Sequence, residues 1–313
     1  MTIKSSGSSL SFSEIESEFG ANGSRSLGGY RVTQSVGSLN NLPLDNSIPT
    51  SGQIKFSDFY GKQLNVVVDC HSGGQEDRIS AKGDKWNNNA VTVIGGFRSK
   101  KESGSKIIIN VNKKFCSNKD QQNRCALRTG SWDGSATVQV DVGGSAQILG
   151  AGGDGGKGAD GINNNGNPGG DGSSGLGIEQ NNVTVNISSG AVLRAGFGGG
   201  GGGGGMGCPA GNGGQGGSTG GGYGSGSGQP GGAGSETSGG GGGGGGNNGN
   251  QAYGGVGGSG GQASGGAGSG QNRNTSGGSG GANGAAIRRI SGYNVTINNN
   301  GSITGSTTDT GVT

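Results

Sequence analysis

The chain has 313 residues, 84 of them glycine and only 5 proline, and its net charge is +3. Apolar residues make up 26% and charged residues 13%, too few of the first for one ordinary core and too few of the second for charge-driven disorder. The charges gather in the first half and give no strongly basic face for nucleic acid, and no apolar run is long enough to cross a bilayer.

Residues 1–64 are mixed in composition and read as a small module. MTIKSSGSSLSF holds one lysine and lacks the apolar centre of a secretory signal, so cytosolic synthesis and release by another route are expected. In SLSFSEIESEFG (9–20), Ser11 and Ser13 precede Glu14 and Glu16, which predicts a serine-capped helix of one or two turns. Phe12, Ile15 and Phe19 then share one face. FSDFYGK predicts a second short helix with Ser57 as cap, Phe59 and Tyr60 inward, and Gly61 as stop. A module of this size needs a partner surface to bury its apolar face.

Residues 65–148 read as a β domain, through LNVVVDC, NAVTVIGGF, KIIINVNKKF and ATVQVDV. Cys116 and Cys125 bracket the polar stretch SNKDQQNR. That spacing admits two states, a local disulfide clamp under oxidising conditions or buried or free thiols. It is not the spacing of a zinc knuckle, and His71 has no histidine partner, so no metal is expected.

A repeat begins at the end of this region. TVQVDVGGSAQILGAGG (137–153), NVTVNISSGAVLRAGFGG (182–199) and NVTINNNGSITGS (294–306) each run through an alternating strand, a short turn, an apolar residue or pair, and a glycine exit. Alternation with a short turn predicts a β-hairpin with one buried face. Within residues 149–313 glycine also recurs every third residue, as at 152, 155, 158 and 161, and again at 211, 214, 217 and 220. Three residues per turn is the period of the polyproline II helix, and collagen is excluded by the scarce proline and broken register. The glycines therefore predict a polyglycine-II helix bundle flanked by β-hairpins, with a flexible Gly/Ser tether as the competing reading. The fold class expected is mainly β and irregular.

Polar interruptions between the glycine runs read as turns joining neighbouring helices. Met206, Tyr223, Gln229, Asn247, Asn248, Tyr253 and Arg273 lie in them and are the candidate contact residues for a receptor. Tyr and Asn suit such contacts because they lose little conformational entropy. Catalytic signals are absent: His71 adjoins Cys70 and Asp69 without the spread of a catalytic pair, and the glycine runs lack a G-K-[ST] exit for phosphate. No enzyme activity and no cofactor are expected.

The two N-terminal stretches resemble the leading module of many tailed-phage virion proteins. In that module an S-[FM]-S-[DE]-I-x-x-E-[FL]-G stretch precedes P-[TS]-S-G-x-I-x-[FM]-S-D-F-Y-G. The second motif is nearly complete here, from Pro49, Thr50, Ser51 and Gly52 through Ile54 and Phe56 to Ser57, Asp58, Phe59, Tyr60 and Gly61. The glycine region resembles the receptor-binding domain of T-even-type tail-fibre adhesins, which stack glycine-rich three-fold helices and present loops at their tip. The N-terminal module departs from the one by which those adhesins attach.

Together the resemblances imply a virion protein. Residues 1–64 would attach to other virion proteins of the tail, baseplate or fibre through Phe12, Ile15, Phe19, Ile54, Phe56, Phe59 and Tyr60. Loops of the glycine-rich domain would bind a host cell-surface protein or polysaccharide. Several copies per particle are implied, with homo-oligomer formation open, and neither nucleic acid nor membrane insertion enters. The alternative is a virion structural protein without a receptor role, such as a decoration, cement, neck or baseplate component.

Overall fold

The alternating segments do form strands, but they do not fold back on one another. In a computed structural model, which describes residues 3–36, 39–71, 79–82, 90–95, 104–117, 122–154, 156, 167–198 and 278–312, the chain coils through three sheets in turn. β1 (Thr33–Val36) and β2 (Leu39–Pro43) form a separate antiparallel pair. β3 (Asn65–Cys70) then opens the first sheet of the coil and β4 (Ile79–Ser80) the third, and β5 (Val91–Ile94) pairs antiparallel with β3.

Each later rung visits all three sheets. The second rung is β6 (Lys106–Val111), β7 (Lys114–Cys116) and β8 (Cys125–Arg128), and the third is β9 (Thr137–Val142), β10 (Gln147–Leu149) and β11 (Ser174–Ile178). The fourth is β12 (Val183–Ile187), β13 (Val192–Arg194) and β14 (Ala285–Arg289). The fifth is β15 (Val295–Asn299), β16 (Ser302–Thr304) and β17 (Ser306–Thr308). The resulting sheets run β15-β12-β9-β6-β3-β5, β16-β13-β10-β7 and β17-β14-β11-β8-β4. Between rungs all pairing is parallel.

This three-sided solenoid explains where so little apolar material goes. Every rung places the same few positions inward, so aliphatic side chains stack in ladders along one narrow core. In the first sheet the ladders are Val66–Ile107–Val138–Val183–Val295 and Val68–Ile109–Val140–Val185–Ile297. In the second it is Phe115–Ile148–Leu193–Ile303, and in the third Ile79–Leu127–Leu176–Ile287–Thr307. All but the fifth-rung members are buried in one continuous cluster.

The hairpins expected from the repeat are therefore rungs. β9 and β10 lie in different sheets, and each pairs with its counterpart one repeat away. Alternation reports one buried face, and it says nothing about which strand supplies the hydrogen bonds. The turns are solenoid corners, stacked so closely that a Cβ on Gly144 would lie 2.5 Å from the Ser189 carbonyl oxygen. KIIINVNKKF is a further copy of the unit, with the corner between β6 and β7 at residues 112–113. The boundary expected at 148/149 falls within β10, and strands from both sides of it share all three sheets.

Residues 3–64 close the first end of the solenoid. α1 (Phe12–Phe19) starts at a capping box in which Ser11 Oγ accepts from the Glu14 amide and the Glu14 carboxylate accepts from the Ser11 amide. Ile15 and Phe19 are buried; Phe59 packs edge to face against Phe19 and Tyr30, which are tilted against each other, with ring centroids 5.7–6.1 Å apart. The buried Glu18 carboxylate accepts from the Leu64 amide at 2.9 Å, tying the helix to the start of β3. The 3₁₀ turn Phe56–Phe59 starts at Lys55, whose amide donates to the Asp58 carboxylate at 2.7 Å, and Ser57, expected as the cap, lies inside the turn. Gly61 stops the turn at φ +68°.

The cysteine clamp is not formed. Cys116 ends β7 in the second sheet and Cys125 begins β8 in the third, so the loop between them turns a corner. Cys125 is a free, buried thiol that donates to the Asn123 carbonyl at 3.7 Å. Burial pushes it up to about 12 against the pull of Arg128 and Arg288.

Two outcomes follow. Ile148→Ala, in the middle of the second-sheet ladder, costs about 2–5 kcal/mol of stability, read as a lower midpoint in denaturant. Hydrogen bonds from Lys4 and from Ser11 hold the exposed Glu14 carboxyl down to about 2 from an ordinary 4.5. Because the folded value is depressed, its stabilisation is complete above pH 4.5 and is lost as pH falls towards 2. Glu14→Gln should flatten the dependence of Tm on pH across that window; an unchanged slope counts against the capping role.

Candidate functional site

All the glycine-rich excursions leave from one vertex of the solenoid, the corner between the second and third sheets. The corner takes residues 117–124 in the second rung, 150–173 in the third and 195–284 in the fourth, and Gly305 alone in the fifth. The excursions are thus insertions at one repeated position and not a separate segment after the β region.

Four arms are described where they meet the vertex: 150–154 and 195–198 leaving the second sheet, and 167–173 and 278–284 entering the third. The two outgoing arms are parallel, with the Gly150 amide donating to the Arg194 carbonyl and Gly153 to Phe197, both at 2.8 Å. The two incoming arms repeat this, Gly169 to Ser279 and Gly172 to Ala282, both at 2.9 Å. Between the layers the direction reverses: Gly170 donates to Asp154 at 2.7 Å and Ser173 to Ala151 at 2.9 Å. In every pair the bonds advance in steps of three residues, and among the described residues none joins an arm to itself. A three-residue step with no internal bonds is the behaviour of a polyproline II-type helix.

The layers continue the sheets. Leu149 and Arg194 are partners in the last step of the β10–β13 ladder, and the Gly150-to-Arg194 bond follows it directly. The incoming layer runs into β11 and β14 in the same way. A strand side chain needs room above and below the sheet, whereas the arms are packed on several sides by backbone. A Cβ on Gly196 would lie 1.8 Å from the Ala151 carbonyl oxygen, and one on Gly284 would lie 1.8 Å from that of Ser173. Only glycine admits this approach.

Side chains at the vertex satisfy what the arms leave over. Ser117 Oγ and Ser173 Oγ both accept from the Ala151 amide, at 3.0 and 2.8 Å. Asp171 accepts from the Ala282 amide at 2.8 Å and Asn283 from the Gly198 amide at 3.0 Å. Ser174 Oγ accepts from the Ala285 amide and from Arg288 Nε, each at 2.9 Å. These residues were not among those singled out from sequence. Their signal is slight: a small polar residue at the point where a period of two gives way to a period of three.

Met206, Tyr223, Gln229, Asn247, Asn248, Tyr253 and Arg273 lie outside the described residues. The attachment set divides. Ile15, Phe19 and Phe59 are fully buried in the solenoid's end cap and cannot touch a partner. Tyr60 is half-buried and donates to the Ser8 carbonyl. Phe12 and Ile54 are half-buried against the core, and Phe56, edge to face with Phe12 at 5.1 Å, is 37% exposed. His71 follows β3, its amide bonded to the Ala90 carbonyl and its ring to Thr92. Among the described residues no cluster of three or more His, Cys, Asp or Glu could hold a metal, and no helix is long and apolar enough to cross a membrane.

The packing sets a sharp expectation for the arms. Gly196→Ala or Gly284→Ala forces the layers apart and costs about 1–3 kcal/mol, whereas Gly134→Ala, with open space around its Cβ position, leaves the arms in place. Proteolysis of the purified protein separates the two cases, since only the first pair should open cleavage between residues 150 and 284.

A family model described as phage tail fibre adhesin Gp38 matches residues 76–308. Among solved structures the chain is similar to the gp37–gp38 adhesin tip complex of the bacteriophage S16 long tail fibre. That likeness has 21% identity over 83% of this chain and 90% of the other, with a TM-score of 0.41. No curated protein matches the chain. The family match spans the first rung's far side, every later rung and both glycine excursions, so the chain belongs to the Gp38 family of phage tail fibre adhesins.

Proposed function

We propose that this adhesin joins the virion through the capped end of its solenoid and meets the host through loops carried by its glycine layers. The observation that carries the reading is the three-residue hydrogen-bond step by which both layers grow out of sheets two and three. Arms fixed in that way hold their connecting loops on a scaffold already ordered, so contact with a receptor costs little further entropy. Met206, Tyr223, Gln229, Asn247, Asn248, Tyr253 and Arg273 are the contact residues in this reading, and the receptor is a surface protein or a polysaccharide.

At the other end, the partner is another tail-fibre protein of the same virion. Phe56 is the side chain that reaches it first, with the half-buried Phe12 and Ile54 beside it, because Ile15, Phe19 and Phe59 are spent on the protein's own core. Several copies per particle would strengthen individually weak contacts.

Two variants test the two halves. Replacing Tyr223 and Tyr253 with serine should leave particles carrying the usual amount of adhesin while adsorption falls by about tenfold or more. Phe12→Glu with Phe56→Glu should leave a folded protein that is missing from purified particles. Normal adsorption in the first case removes the two tyrosines from the contact set, and normal incorporation in the second removes the aromatic pair.

A further inference from the structure

We propose that the corner between the third and first sheets, a different vertex from the one that carries the glycine layers, binds a neutral hexose unit of a glycan. Three loops stack there, 129–136, 179–182 and 290–294, following β8, β11 and β14. They enclose a cleft of about 510 Å³ lined by residues of all three. That size lies within the range of small-ligand sites.

The floor of the cleft is fixed. Gln180 is buried, with its Oε1 accepting from the Trp132 amide at 3.0 Å and its Nε2 donating to the Ala136 carbonyl at 2.8 Å. Trp132 is 5% exposed and its indole donates to the Thr129 carbonyl at 2.8 Å. Asn181 Oδ1 accepts from the Asn182 and Asn294 amides at 2.9 and 2.8 Å, which locks two successive rungs together.

The walls are different. Ser131, Thr137, Asn182 and Tyr293 also line the cleft, and none of their four side chains makes a hydrogen bond among the described residues. Asn182 is one of three described non-glycine residues with positive φ, at +54°, a conformation that costs energy and that Asn181 stabilises from below. Tyr293 is half-buried and lines the cleft.

One aromatic ring among amides and hydroxyls is the complement of a pyranose. The ring covers the sugar's apolar C–H face, and the amide and hydroxyl groups exchange hydrogen bonds with its hydroxyls. An apolar ligand would find too little apolar wall. An anion would meet Glu179, whose carboxylate is already engaged by Arg128.

The test uses the full chain and four methyl glycosides, of glucose, galactose, mannose and N-acetylglucosamine, in saturation-transfer NMR. At least one should receive saturation, and Tyr293→Ala should weaken its binding about tenfold, with Tm unchanged. Asn182→Gly keeps the backbone conformation while deleting the amide, so it decides the matter if Tyr293→Ala fails to fold; the same loss is expected. The Tyr223 and Tyr253 variants should keep the full signal, which separates this site from the receptor loops. No transfer to any of the four, or transfer that survives Asn182→Gly, overturns the proposal.

Discussion

Everything in this molecule depends on the register between successive rungs. Parallel strands about 4.8 Å apart fix where each rung's corner falls relative to the last. That spacing stacks the core ladders, aligns the corners, and passes across the vertex into the glycine arms. The Leu149–Arg194 step of the second sheet is followed by Gly150 donating to Arg194 and, one helical turn later, by Gly153 donating to Phe197. A sheet thus changes into a layer of three-fold helices without losing its lateral hydrogen bonds.

This register also answers the energetic objection to ordering so much glycine. Glycine loses more backbone entropy than any other residue and brings no side chain to bury. The arms offset the loss only collectively, by hydrogen bonds and dispersion between backbones that no side chain holds apart. An isolated arm would have neither. Two sheets that present their strands in register supply the first neighbours, and Ser117, Ser173, Asp171 and Asn283 take up amides left over at the join. Stability therefore flows from the aliphatic ladders outward into the arms.

The legible and illegible parts of the sequence divide along the same line. The strands, the Ser11 cap, the three-residue period and the adhesin resemblance all follow from local patterns. Pairing does not, since V-x-V alternation is the same whether the partner is the next strand or the next rung. KIIINVNKKF carries no visible repeat signal because its corner is Asn112–Lys113 in place of the glycine-bearing corners of its neighbours. Phe12 and Phe19 share a helix face, yet one ring is half-buried at the edge of the core and the other is fully buried against Tyr30 and Phe59. The pattern places both on the same face, and only the packing of the solenoid's end separates the partly buried ring from the fully buried one. Asn182 and Tyr293 carry no sequence signal at all, because they come together through stacking of loops more than 100 residues apart.

The central claim is that the arms are ordered extensions of the sheets, and amide hydrogen exchange on the intact protein tests it most directly. The account predicts that Gly150, Gly153, Gly169, Gly172, Gly196 and Gly284 exchange slowly, within reach of the strand amides of Leu193 and Leu176. Exchange of those six at the rate of free peptide, with Leu193 and Leu176 still protected, would contradict it.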